Sequence, residues 1–91
     1  MSKTAIYPGT FDPITFGHID IIKKSLKIVD KLIIATTDTS DKDYFFSIDE
    51  RMDILKKSLF TDLKLNKNKI KIISFNNLTV NLCKKYKASI I

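Results

Sequence analysis

The order of local patterns predicts an α/β fold, a parallel sheet layered with helices in the order βαβαβαβ. Three observations predict it. Short apolar runs rich in isoleucine recur four times, at 4–7, 32–36, 69–74 and 88–91. Between them lie segments whose apolar residues repeat at helical spacing. The connections are short, as right-handed strand–helix–strand crossovers allow.

Thr4–Tyr7 reads as a strand that Pro8-Gly9 turns. Pro8–Thr15 holds both prolines and one of the two glycines, and reads as a loop. From Gly17 the period changes: Ile19, Ile22, Leu26 and Val29 share a helical face, with Asp20, Lys23, Lys24 and Lys27 between them. Leu32–Thr36 is the second strand and Thr37–Phe46 a polar loop. Ser47-Ile48-Asp49-Glu50 has the form of a capping box, Ser47 capping and Glu50 reaching back. The helix it opens places Ile48, Met52, Leu55 and Leu59 on one face. Thr61–Asn68 reads as loop and Lys69–Ser74 as the third strand. Leu78, Leu82 and Tyr86, with Val80 and Cys83 beside them, form a third helical face. Ala88–Ile91 opens a fourth apolar run.

Composition narrows the function classes. At 91 residues the chain builds one layered core at most. No apolar run approaches the roughly 20 residues of a membrane span. Met1–Thr4 lacks the features of a signal peptide. Cys83 is the only cysteine, so no internal disulfide forms, which fits a reducing cytoplasm. The net charge of +6 is carried by lysine, with Arg51 the only arginine. Lys23, Lys24, Lys27, Lys56, Lys57, Lys84 and Lys85 fall where helices face solvent. The near absence of arginine speaks against base-reading nucleic-acid contacts.

In such a sheet, ligands bind at the carboxyl ends of the strands. That points to the loops Pro8–Gly17, Thr37–Phe46 and Ser74–Asn77. Neither common phosphate loop is present. Gly9 and Gly17 are the only glycines, so no G-x-G-x-x-G run exists, and nothing matches G-x-x-x-x-G-K-[ST]. The first loop offers another device. Gly9 allows close backbone approach to a ligand. Thr10 brings a hydroxyl and an amide. Gly17-His18 puts the only histidine at the start of a helix, where amides and dipole favour an anion. Alone, His18 reads first as a plain surface histidine at a helix start; Thr10, Gly9 and Gly17 in register with it turn the reading to a functional one. Asp12-Pro13 reads as a metal ligand or, more simply, a turn-forming pair. Phe11 reads as packed, Cys83 as an inert core residue, and Tyr44-Phe45-Phe46 as a hydrophobic staple to the next helix.

The run Tyr7-Pro8-Gly9-Thr10-Phe11-Asp12-Pro13-Ile14-Thr15-Phe16-Gly17-His18 resembles the T/H-x-G-H loop of the nucleotidyltransferase superfamily, and in particular the phosphopantetheine adenylyltransferase family. All but one of its twelve positions match, Phe16 standing where the family commonly has Asn. The resemblance continues through Asp41-Lys42 and the Phe46-Ser47-x-x-Glu50-Arg51 helix start, then more loosely from Phe75 to Ile91. It implies a Rossmann-like three-layer fold, with residues 1–91 the N-terminal part of a single nucleotidyltransferase domain. The implied reaction joins ATP and 4′-phosphopantetheine to give dephospho-coenzyme A and pyrophosphate, with magnesium, in a cytoplasmic enzyme whose whole form is a homo-hexamer.

By the same resemblance Thr10 contacts the pantetheine phosphate and ATP. The Phe11 amide contacts ATP, His18 contacts ATP and stabilises the transition state, Lys42 meets the phosphopantetheine side and Thr79 the pantetheine arm. The family's Arg-Gly-x-Arg segment after the fourth strand, and its later Ser/Thr-rich ATP grip, do not occur here. The expectation is therefore an incomplete domain with little or no turnover of its own. Another small-molecule nucleotidyltransferase, or a non-catalytic phosphate-ligand module, stands as the alternative; a basic nucleic-acid binder is the remotest.

Overall fold

The central strand explains the architecture. Leu32, Ile33, Ile34, Ala35 and Thr36 are buried without a break. An unbroken apolar run of this kind suits a parallel strand covered on both faces. The computed structural model describes residues 3–38, 43–76 and 79–91, with the side chains of 79, 80 and 82 outside that set. Its elements are β1 (Thr4–Gly9), α1 (Phe16–Ser25), β2 (Lys31–Thr37), α2 (Ile48–Lys56), β3 (Ile70–Phe75), α3 (Thr79–Tyr86) and β4 (Ser89–Ile90). All pairings are parallel, in the order β3-β2-β1-β4.

Alternation along the strands divides the core. Ala5, Leu32, Ile34 and Ile70 face one side, where Ile22 of α1 and Leu55 of α2 close over them. Ile6, Ile33 and Ala35 face the other, against Cys83 and Tyr86 of α3. The sheet thus lies between two helical layers, the three-layer arrangement expected. The seven lysines assigned to helix surfaces are all exposed.

Register aligns the carboxyl ends of three strands, with Gly9 opposite Thr36 and Thr36 opposite Ser74. The chain steps outward from β1 to β2 to β3, then returns to the far side of β1. The topological switch point therefore falls between β1 and β4, beside the loop that leaves β1.

Some boundaries move. β1 runs on through Pro8-Gly9, which the sequence reads as a turn. Pro8 lies opposite Ala35 of β2, and like Ile6, whose carbonyl accepts from Ile91, it turns its ring nitrogen away from β2, so no bond of that ladder is lost. β3 begins at Ile70 rather than Lys69. Residues 57–62 continue α2 as a π-helical turn, which claims the start of the expected Thr61–Asn68 loop. The Leu63 amide bonds the Ser58 carbonyl five residues back.

Ser47 caps α2 as its pattern predicts. The Glu50 amide donates to the Ser47 hydroxyl at 3.2 Å and the Ser47 amide donates to the Glu50 carboxylate at 3.1 Å. Ser47→Ala is expected to lower stability by about 1 kcal/mol. Denaturant titration would show a lower midpoint at unchanged slope.

Candidate functional site

The loop leaving β1 is built around Phe11. Its backbone takes a positive φ of 47°, a left-handed conformation uncommon outside glycine. The turn sends the ring inward, where it is 1% exposed. Phe11 stands edge-on to Tyr7 with centroids 5.3 Å apart, and its centroid lies 4.7 Å from that of His18. The packed reading of Phe11 holds. A Cβ on Gly9 would sit 3.0 Å from Phe11 Cε2. Within the described residues, the close approach that glycine permits is therefore made by this ring, where the sequence suggests a ligand.

His18 is placed by helix chemistry. Thr15 is the N-cap of α1 and His18 its third residue, and the two form a capping box. The Thr15 amide donates to His18 Nδ1 at 3.0 Å, and the His18 amide donates to Thr15 Oγ1 at 3.3 Å. A backbone N–H only donates, so Nδ1 must accept, and a neutral ring then carries its proton on Nε2. Burial pushes the imidazole below its ordinary value. The same burial pushes the neighbouring Tyr7 phenol up. No acidic residue lies in the first turn of α1, and its opening amides have no intrahelical acceptor. A neutral N–H donor therefore stands at a positive helix end, a setting that suits an anion.

Thr10 sits half-buried between Gly9 and Phe11. Its carbonyl points inward and accepts from Thr36 Oγ1 at 2.9 Å and from Arg51 Nη1 at 3.0 Å. Its hydroxyl makes no hydrogen bond to another described residue. The Asp12 carboxylate accepts from the amides of Phe45 and Phe46, the latter at 2.9 Å. Asp12 is thus tied to the loop before α2 by long-range bonds, where the sequence suggests a local turn. The Asp12–Pro13 peptide is cis. Phe16 is 90% exposed, so the departure from the family pattern there disturbs no packing.

Sequence reasoning missed Arg51. Its side chain is fully buried, at 0% exposure. Nε donates to the Phe46 carbonyl at 3.1 Å, and Nη1 reaches the Thr37 carbonyl at 2.7 Å and Thr36 Oγ1 at 3.2 Å, besides Thr10. The guanidinium lies 4.0 Å from the centre of the Tyr44 ring, and the Asp38 carboxylate is 4.0 Å from Nη2. Nη2 and Thr37 Oγ1 are buried without a hydrogen-bond partner among the described residues. The staple expected of Tyr44–Phe46 is replaced by this arrangement: Tyr44 covers the guanidinium and Phe45 is 90% exposed. The signal was present in spacing. Arg51 lies four and eight residues before Leu55 and Leu59, on the face that is buried.

Of the five expected site residues, the structure brings three together, Thr10, Phe11 and His18, at the switch point. Lys42 lies outside the described residues. Thr79 is the first residue of α3, and its side chain is outside the described set. Among the described residues no three His, Cys, Asp or Glu side chains gather as a metal site, and no helix is long and apolar enough to cross a membrane.

Fold and loop together define a Rossmann-like domain with a helix N-terminus at its switch point. The chain belongs to the Cytidylyltransferase-like family, whose profile matches residues 6–91. It is 60% identical over 91 residues to a phosphopantetheine adenylyltransferase of Pelagibacter ubique, covering 100% of this chain and 56% of the relative. Against the phosphopantetheine adenylyltransferase of Clostridium botulinum it is 47% identical over 89 residues, 98% of this chain and 53% of that one. The chain spans about half the length of the curated relatives it matches. Among solved structures, a bifunctional NMN adenylyltransferase/ADP ribose pyrophosphatase from Francisella tularensis, complexed with AMP and a manganese ion, superposes with a TM-score of 0.77. That match has 20% sequence identity and covers 96% of this chain and 29% of the other, so it speaks for the fold alone.

Two outcomes follow from the loop geometry. A His18 pKa held below the ordinary 6.5 means the unfolded chain binds the proton more readily. Stability from this group is complete above pH 6.5 and is lost as pH falls through the folded-state pKa. His18→Gln keeps a capping-box side chain, and its stability should fall less than the parent's as pH drops below 6.5, measured by denaturation across pH 5–8. Gly9→Ala forces its methyl against the buried Phe11 ring and is expected to cost about 1–3 kcal/mol, read as a lower denaturant midpoint.

Proposed function

We propose that this chain is the N-terminal part of a single nucleotidyltransferase domain that transfers the adenylyl group of ATP to 4′-phosphopantetheine, giving dephospho-coenzyme A and pyrophosphate. The observation that carries the reading is the Tyr7–His18 loop, set at the switch point of the sheet in a chain 60% identical to a phosphopantetheine adenylyltransferase.

The chemistry asks little of the protein beyond placement. A phosphate monoester is largely dianionic near neutral pH, its second pKa being about 6. One of its oxygens attacks the α-phosphorus of ATP. The bond from that phosphorus to the bridging oxygen of the β-phosphate breaks, and pyrophosphate leaves with the electron pair. No general base and no covalent enzyme intermediate are needed. The work is to hold two anions in line and neutralise developing charge. In this reading the Thr10 hydroxyl lies between the two phosphates, and the Phe11 amide and the first turn of α1 meet the ATP phosphates. His18 donates from Nε2 to the transition state. Its capping bond at Nδ1 supports that role, since it leaves Nε2 as the donor. Lys42 and Thr79 serve the phosphopantetheine side.

Magnesium belongs to the same reading. The described residues supply no protein cage for it, and Asp12 is engaged by two amides. The ion would ride mainly on nucleotide phosphates, as is usual for magnesium with such ligands, and no step here is routed through it. Cytoplasmic location and homo-hexamer assembly of the whole protein also belong to this proposal, with small phosphorylated molecules rather than nucleic acid as partners.

Titration of the labelled chain with 4′-phosphopantetheine tests the reading. The Thr10 amide and the His18 ring are expected to shift, and pantetheine lacking the phosphate is expected to leave them in place. Shifts with glycerol 3-phosphate but not with 4′-phosphopantetheine would replace it by another small-molecule nucleotidyltransferase. In any form that turns over, His18→Ala should slow pyrophosphate release by about 10²–10³-fold.

A further inference from the structure

Among the described residues Arg51 differs from the other cations in being buried, and in what surrounds it. Its oxygen partners come from three segments. Thr10 is the residue after β1, Thr36 and Thr37 end β2, and Phe46 lies just before α2. Tyr44 and Asp38 each lie 4.0 Å from the guanidinium. Asp12 makes a second tie between the same two loops through the amides of Phe45 and Phe46.

We propose that Arg51 is a positioning residue: it sets the loop that carries Thr10 and His18 against the segment Tyr44–Phe46 that leads into α2, without touching ligand itself. The ligand consequences rest on the adenylyltransferase reading above, while the coupling of the two loops does not. A planar fork with five donors can bind oxygens from three segments at once. A lysine ammonium in the same place is a point donor and cannot span from Phe46 to Thr10 and Thr37. With the guanidinium gone, the Thr10 carbonyl keeps only the Thr36 hydroxyl, and the second loop loses the group its Tyr44 covers.

The experiment uses the whole chain, with Arg51→Lys and the milder Thr36→Val, which removes one oxygen of the cluster at nearly equal volume. Ile33→Val, on the opposite face of the sheet, supplies a destabilised control distant from both loops. In the absence of ligand, amide exchange at Phe45 and Phe46 is expected to quicken about tenfold or more in the first two variants. The Leu32 amide, bonded to Lys69, should keep its parental ratio to the control. Affinity for 4′-phosphopantetheine is expected to fall by about tenfold or more in Arg51→Lys, and to stay at the parental value in Ile33→Val. Parental exchange at Phe45 and Phe46 in both folded variants overturns the proposal. So does loosened exchange with unchanged affinity. If Arg51→Lys fails to fold, Thr36→Val decides by the same two readouts. If the parent itself binds no 4′-phosphopantetheine, the functional reading fails, and the exchange result alone supports or overturns the coupling.

Discussion

A guanidinium sealed from water must find its oxygens in the protein, because a buried charge without partners costs several kcal/mol. Arg51 meets that demand at the carboxyl edge of the sheet, where β1 and β2 end and their carbonyls run out of strand partners. The two needs satisfy each other. Strand-end carbonyls that would otherwise face a dry edge accept from Arg51, and the charge is spread over several dipoles and the face of Tyr44. Asp38, half-exposed and 4.0 Å away, adds little as an ion pair. The rest of the site hangs on this arrangement. Once the Thr10 carbonyl is drawn inward, the next residue must turn sharply, and Phe11 does so in the left-handed region.

That turn carries the consequence from backbone to ring packing. Phe11 fills the space that Gly9 leaves, and it supports Tyr7 and His18 from below. A left-handed phenylalanine costs on the order of 1 kcal/mol, and burying the ring offsets that by about 1.5–3 kcal/mol. His18 then rests on Phe11 with one nitrogen occupied by its own helix cap. Local helix chemistry thereby sets the protonation of the group on which the proposed reaction most depends. The threonine of the T-x-G-H loop does two things at once: it starts α1 and it locks the ring.

Much of the fold was legible because its signals are periodic. Alternating short apolar runs and helical faces need only spacing to be read, and the capping box at Ser47 needs only two residue types three apart. The boundaries that moved are those where tertiary context overrode local preference: Pro8 in a strand whose ladder to β2 does not use its nitrogen, and the π-helical continuation of α2. The candidate site was legible in part. Thr10, Phe11 and His18 stand in one unusual loop. The box between Thr15 and His18 escaped notice because histidine is not one of the usual acceptors at that position. Arg51 escaped because a cation on a helix normally means a solvated face, and the seven lysines read as helix surface follow that rule.

The sequence by itself determined the alternation of strand and helix, the parallel sheet, the loop that carries the candidate chemistry, and the single histidine at the start of a helix. These follow from patterns that repeat over a few residues. Only the tertiary structure decided that Arg51 is buried, that Asp12 ties two loops, that Phe11 turns its ring inward and that His18 bears its proton on Nε2. Each of these depends on partners far apart in the chain, from Thr10 to Arg51 and from Asp12 to Phe46, or on a direction of hydrogen bonding. No local pattern records which carbonyl will be left without a strand beside it.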